Sequence, residues 1–239
     1  RTWTPPRKAT AMTNASRLPV VTIDGPAGAG KSTISKQLAA RFGLVYIDTG
    51  AMFRAVALAA REQGIDWDHA EAVEALAETL TLTFLVKEGE RRIAINGRDV
   101  ETEIRQPAIS LGASKVSAYG RVRAHLLKSQ QAMGEAGGVL LEGRDTGTVV
   151  FPDADVKFYL DASARVRAER RFAQMAEENR PSLEELQAQI EARDRADSQR
   201  ALAPLICPED AHRIDSSNLS IGEVVEKMAS FGESWQKAV

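Results

Sequence analysis

The chain has 239 residues, 44% hydrophobic and 27% charged, with a formal net charge of −2. That size and balance suit one or two lobes around a sizeable core, and the charge argues against a dedicated nucleic-acid or membrane surface. A single cysteine, Cys207, excludes an internal disulfide and any cysteine-rich metal site, as suits a reducing cytoplasm.

Residues 1–18 are polar, carry Pro5-Pro6 and lack the apolar centre of a secretory signal, so a disordered tail is expected there. Met12 is a candidate start, which would make residues 1–11 additional. No apolar run reaches the roughly 18–20 residues of a membrane span. The expected location is cytoplasmic.

Val20–Ile23 is a β-branched run of the kind that forms a buried parallel strand. Gly25-Pro26-Ala27-Gly28-Ala29-Gly30-Lys31-Ser32 comes next and fits G-x-x-x-x-G-K-[ST]. Beyond it Ile34, Leu38, Ala39 and Phe42 recur at helical spacing, and Gly43 stands at the helix end. In the order strand, glycine loop, helix, backbone N–H groups can cradle a polyphosphate at a helix N-terminus. Lys31 is long enough to reach the β- and γ-phosphates, and the Ser32 hydroxyl can ligate Mg²⁺. A nucleoside triphosphate is the implied ligand.

Leu44–Ile47 reads as a second buried strand ending in Asp48-Thr49-Gly50, followed by a helix with Phe53, Val56, Ala57 and Ala60 on one face. The alternation implies an α/β fold with a parallel sheet, whose ligands sit at the carboxyl ends of the strands. Asp48 and Thr49 therefore fall beside the phosphate loop. Residues 64–79 read as a further helix.

The pattern then changes to period two. Leu80–Phe84 and Arg92–Ile95 alternate, Lys87–Arg91 contains a glycine turn, and Asn96-Gly97 is a hairpin signal. A small antiparallel sheet is expected as an insert, with the character of a mobile substrate lobe. Ala108–Val116 and Val122–Met133 read as helices, the second stopped by Gly137-Gly138. Val139–Leu141 is a third strand ending in Glu142-Gly143-Arg144-Asp145, and Val156–Leu160 a fourth. Ser163 caps a basic helix bearing Arg165, Arg167, Arg170 and Arg171, which by itself reads as an exposed basic face. Pro181-Ser182 open a helix from Leu183 to about Gln199, Arg213–Asp215 is a short fifth strand, and Ser220 caps the last helix.

Arginines would suit a second phosphate-bearing substrate, because guanidinium forks match phosphate oxygens in pairs. Arg54 comes after the second strand and Arg144 after the third. Arg193, Asp197 and Arg200 are spaced i, i+4, i+7 on one helix face. Spacing alone favours a solvated face there, with a pair worth a few tenths of a kcal/mol.

Four blocks closely resemble bacterial cytidylate kinases: Ile23 to Thr33, Asp48 to Arg54, Gly143 to Ala154, and Arg193 to Arg200. The resemblance covers essentially residues 19–238, and the Gly-Arg-Asp-x-Gly-Thr-Val-Val-Phe-Pro block is its most specific part. It implies a P-loop kinase domain over 19–239, with a nucleoside-monophosphate-binding insert at about 76–115 and a helical lid at about 167–183. The implied reaction is Mg²⁺-dependent transfer from ATP to CMP or dCMP, by a monomer.

By the same resemblance, ATP is held by Gly25, Pro26, Ala27, Gly28, Ala29, Gly30, Lys31, Ser32, Thr33 and Arg170. Arg167, Arg170 and Arg171 border the lid. The CMP phosphate is held by Arg54, Arg144, Arg193 and Arg200, with Asp48, Thr49 and Asp197 near the sugar and its arginines, which reassigns the 193–200 face. Ser114, Arg123 and Asp145 are placed at the pyrimidine. Lys31, Arg144, Arg193 and Asp48 are the implied catalytic groups, and Ser32 the implied metal ligand. A carboxylate at Asp145 accepts from the cytosine amine but opposes the uracil carbonyl, a mismatch of about 1–3 kcal/mol. Glu142, Gly120 and Thr49 depart from the usual Asp, Pro and Ser, and none removes an implied ligand. The nearest rival is a P-loop kinase for another acceptor, such as UMP, AMP or a small hydroxylated metabolite. Two other classes fare worse, since a GTP or ATP switch finds no guanine-reading Asn-Lys-x-Asp element and a nucleic-acid-dependent ATPase does not suit a net charge of −2.

Overall fold

The computed structural model describes residues 18–87, 90–175 and 180–236. The expected tail (residues 1–17), the Gly89 turn and residues 176–179 of the expected lid lie outside the described residues.

Five strands form one parallel sheet: β1 (Val20–Asp24), β2 (Val45–Asp48), β6 (Val139–Gly143), β7 (Val156–Asp161) and β8 (His212–Asp215). Their order is β2-β6-β1-β7-β8. The central strand pairs Val20 with Val139 on one side and Val21 with Val156 on the other. All five residues of β1 and all five of β6 are buried, which is why both read as short apolar runs with no alternation.

Side-chain alternation divides the core between the two faces. Val21, Ile23, Leu140 and Phe158 pack against Ile34 and Leu38 of α1 (Lys31–Phe42) and Val224 and Met228 of α8 (Ile221–Gln236). Val20, Val139 and Leu141 face the other way, against Leu127 and Met133 of α5 (Gly120–Gly134). Both sheet faces are covered by helices, as a parallel sheet requires.

A second core joins α2 (Thr49–Glu62), α3 (Ala70–Thr79), α4 (Pro107–Val116) and α5 to a three-stranded antiparallel sheet. That sheet is β3 (Leu82–Lys87), β4 (Glu90–Ile95) and β5 (Arg98–Asp99), in that order. Asn96 at φ 50° and Gly97 at φ 84° make the tight β4–β5 turn that the dipeptide signals. The expected parallel sheet with an antiparallel insert is therefore the observed architecture.

Several element ends shift by one or two residues from the sequence expectation, the strand expected over Leu80–Phe84 running Leu82–Lys87, and one helix starts much later. The second strand begins at Val45, one residue late. The helix expected over 64–79 begins only at Ala70. Gly64 takes a left-handed turn, Asp66 accepts from the Asp68 amide, and the Trp67 indole donates to the Ala57 carbonyl of α2 at 2.9 Å. That tertiary anchor outweighs helix propensity over 64–69.

Candidate active site

The carboxyl ends of β1, β2 and β6 open into one cleft of about 760 Å³. Gly25 leaves β1 so close to β7 that a Cβ would lie 2.0 Å from the Leu160 carbonyl oxygen, so only glycine permits this exit. The loop then folds around its own lysine: Lys31 Nζ donates to the Gly25 and Pro26 carbonyls, each at 2.8 Å. Burial, reinforced by the nearby Arg144 charge, pushes the Lys31 pKa down to about 7. The N-cap of α1 is Gly30, left-handed and without a side-chain cap, so no side chain closes off the first-turn N–H groups.

Asp24, at the end of β1, is buried and accepts from the Thr146 amide (2.9 Å), the Thr146 hydroxyl (2.8 Å) and the Gly147 amide (2.7 Å). These bonds hold the π-helical turn Thr146–Val150 beside the phosphate loop. Burial nevertheless keeps the Asp24 pKa above its ordinary value.

Glu142, near the end of β6, accepts from the Ser32 hydroxyl at 2.6 Å and from the Tyr46 hydroxyl at 2.7 Å, both on Oε1. Its own carbonyl accepts from Thr49 at 2.7 Å. Burial, aided by the Asp48 charge, raises the Glu142 pKa, and Oε2 is buried without a partner among the described residues. An unpaired buried acceptor next to a serine hydroxyl is the hard oxygen chemistry that suits Mg²⁺, an ion that keeps waters and takes its remaining ligands from phosphate. The residues present therefore fit that ion. Among the described residues no cluster of three His, Cys, Asp or Glu forms an all-protein metal cage.

The far wall of the cleft is a lattice of guanidinium–carboxylate pairs drawn from helices and strand ends far apart in the chain. Asp48 caps α2 through the Ala51 amide at 2.9 Å, and pairs with Arg54 at 2.6 Å and Arg105 at 3.5 Å. Burial alone would raise the Asp48 pKa; Arg54 and Arg105 outweigh it and hold the carboxyl below its ordinary value. Arg144 Nε binds Asp197 at 2.9 Å, reaching from the end of β6 to α7 (Leu183–Gln199). Asp145 is gripped by Arg123 and faces Arg200 at 3.5 Å. Arg123 also donates to the Ser117 carbonyl at 2.9 Å, and Ser114 lines the cleft from α4.

Arg193 and Arg54 each keep a buried Nε with no partner among the described residues. Burial and the Arg144 charge lower the Arg193 pKa to about 10; burial and Arg123 lower that of Arg200. Buried, unpaired guanidinium donors in one cleft are what an anion would satisfy.

The structure brings Ala27–Thr33, Asp48, Thr49, Arg54, Ser114, Arg144, Asp145, Arg170, Arg193, Asp197 and Arg200 to this one cleft. Gly25 and Pro26 stand behind it through their carbonyls, and Arg123 through Asp145. Sequence reasoning passed over Asp24, Tyr46 and Arg105, of which only Asp24 lies in a recognisable motif. Arg105 comes from a short 3-10 turn (Glu103–Arg105) that no periodicity marks.

One expectation is corrected on α6 (Ala164–Gln174). Its arginines are not one exposed basic face. Arg165 is exposed and pairs with Glu169 and Glu184, but Arg167 is only 5% exposed. Arg170 donates to the Ser216 hydroxyl and carbonyl, at 3.1 and 2.6 Å.

The family model described as cytidylate kinase matches residues 21–233. This chain belongs to the cytidylate kinase family. Within that family it is 50% identical over 220 residues to the cytidylate kinase of Geobacter sulfurreducens, covering 92% of this chain and 94% of the relative. It is 52% identical over 211 residues to the cytidylate kinase of Geobacter sp. strain M21, covering 87% and 90%. A solved structure of an uncharacterized protein from Eubacterium ventriosum aligns over 90% of this chain and 98% of its own, with a TM-score of 0.52 at 7% identity, a likeness of fold alone.

Proposed function

We propose that this member of the cytidylate kinase family transfers the γ-phosphoryl group of ATP to the phosphate of CMP or dCMP, giving CDP or dCDP. The observation that carries the reading is the cleft itself: a phosphate loop on one wall faces a guanidinium lattice on the other.

In this reading the triphosphate lies along Gly25–Thr33, with Lys31 leaving its loop carbonyls for the β- and γ-oxygens and Arg170 beside them. The CMP phosphate takes the unpaired donors of Arg54 and Arg193 together with Arg144 and Arg200. Asp48, Thr49 and Asp197 hold those arginines and the sugar, while Ser114, Arg123 and Asp145 meet the base. Ser32 and Glu142 would hold Mg²⁺, which when bound screens charge between the phosphates.

The attacking oxygen already belongs to an ionised phosphate, so no residue need remove a proton first. Lys31, Arg144 and Arg193 instead neutralise charge that spreads over the transferred group, in a geometry fixed beforehand. Closure of the antiparallel insert (about 76–115) and of the segment about 167–183 would exclude water that could otherwise intercept ATP. A monomeric, cytoplasmic enzyme is part of the same proposal; among the described residues no helix is long and apolar enough to cross a membrane.

The test is release of ADP in a coupled assay with CMP, dCMP, UMP and AMP as acceptors. Turnover with CMP and dCMP well above the other two is expected. Equal rates with CMP and UMP would overturn the role given to Asp145.

A further inference from the structure

Arg167 lies in the first half of α6, yet its side chain runs inward and all three kinds of guanidinium nitrogen are engaged. Nε donates to the Ala162 carbonyl at 2.8 Å, Nη1 to the Ala27 carbonyl at 3.0 Å, and Nη2 to Asp194 Oδ2 at 2.6 Å. Ala27 is in the phosphate loop; Asp194 is on α7, next to Arg193 of the acceptor wall. Each of the three nitrogens of this buried guanidinium has an acceptor, which offsets the cost of holding its charge out of water.

The Ala27 carbonyl matters because it shares a rigid peptide plane with the Gly28 amide. No peptide in the described chain is cis, so the Gly28 N–H points opposite to the Ala27 C=O. Arg167 draws that carbonyl outward, which leaves the Gly28 N–H directed away from α6, and Gly28 is on the cleft wall. Gly28 itself has φ 79°, and a Cβ there would come within 3.3 Å of Arg167 Cβ. The loop residue and the arginine are thus packed as one unit, at a position where peptide orientation is otherwise free.

We infer that Arg167 is a positioning residue for polyphosphate binding: anchored to α7 by Asp194, it fixes the Ala27–Gly28 peptide so that its N–H serves the cradle. The inference rests on the reading of the loop as the nucleotide cradle. It assigns Arg167 no contact with nucleotide, only with the loop that makes one.

The test is calorimetric titration of ADP and of CMP, each alone and without Mg²⁺, into the parent protein, Arg167→Lys, Arg167→Met and Asp194→Asn. Lysine can reach one acceptor but cannot hold the fork, so Arg167→Lys should weaken ADP about tenfold and Arg167→Met further, with CMP affinity unchanged within about twofold. Asp194→Asn keeps the shape of the anchor and should weaken ADP by a smaller factor with the same indifference to CMP, even where the Arg167 variants fail to fold. Parent-like ADP affinity in Arg167→Lys or Asp194→Asn overturns the inference. So does an equal loss for ADP and CMP, which marks a merely structural bond. If the parent protein itself binds no ADP, the cradle reading falls first and the Arg167 inference with it.

Discussion

The two walls of the cleft are built on opposite principles. The phosphate loop is made of backbone: consecutive residues, a glycine (Gly25) that lets the chain pass close to β7, and one lysine satisfied by two carbonyls of its own loop. The facing wall is made of side chains from α2, α4, α5, β6, α7 and the 3-10 turn, held by the pairs Arg54–Asp48, Arg144–Asp197 and Arg123–Asp145. A backbone cradle cannot be altered by exchanging one side chain, except at its lysine and glycines. A side-chain lattice can be retuned residue by residue. Under the proposed function this sets the common triphosphate against the constant wall and the discriminating acceptor against the adjustable one.

The largest expected effect tests the constant wall. Lys31→Met removes the positive charge of the loop and should lower kcat about 10²–10³-fold, the scale for losing a preorganised charge donor. A loss below tenfold would put the transferred charge elsewhere. Asp145→Ala should then erase a CMP-over-UMP preference of about ten- to hundredfold while ATP affinity stays put. An unchanged ratio of kcat/KM for the two acceptors would remove Asp145 from the base. Arg200→Ala should raise the KM for CMP about tenfold. If the KM for ATP rose instead, Arg200 would belong to the donor side and the division between the walls would fail.

The smallest effect is a proton. Lys31, pushed down to about 7 in the free protein, is mostly neutral at pH 8 and charged at pH 6. A bound polyphosphate favours the charged form and raises that pKa, so ADP binding should take up a proton at pH 8, and Lys31 should contribute none at pH 6. Binding enthalpies measured in buffers of different ionisation heat report the number directly. Equal enthalpies in Tris and HEPES at pH 8 would show that Lys31 already carries its proton before the nucleotide arrives.

The same contrast explains which parts of the molecule are legible in its sequence. Strand, loop and α1 are contiguous, and each residue's reason lies within a few positions of it, so Gly25–Ser32 declares itself. So does the Asn96-Gly97 turn, whose conformation is a property of two residues. The arginine lattice is not legible from spacing: Arg193, Asp197 and Arg200 share a face whether that face meets water or a cleft, and only the family resemblance distinguishes them. Arg167 escapes for a related reason. Charged residues at helical spacing signal an exposed face, and nothing local reveals that a carbonyl 140 positions earlier will meet the guanidinium. Residues 64–69 fail as helix because Trp67 finds Ala57, again a contact outside the window that propensity surveys.

Lys31 is tied to the Gly25 and Pro26 carbonyls, so the two ends of the loop are joined by the loop's own hydrogen bonds. The entropy of ordering that loop is therefore lost once, when the polypeptide folds, and an arriving nucleotide meets a receptor whose shape is set. What it must do instead is exchange partners, trading two carbonyl oxygens for phosphate oxygens at the same ammonium group. Recognition at this wall becomes a swap of hydrogen bonds rather than an act of folding.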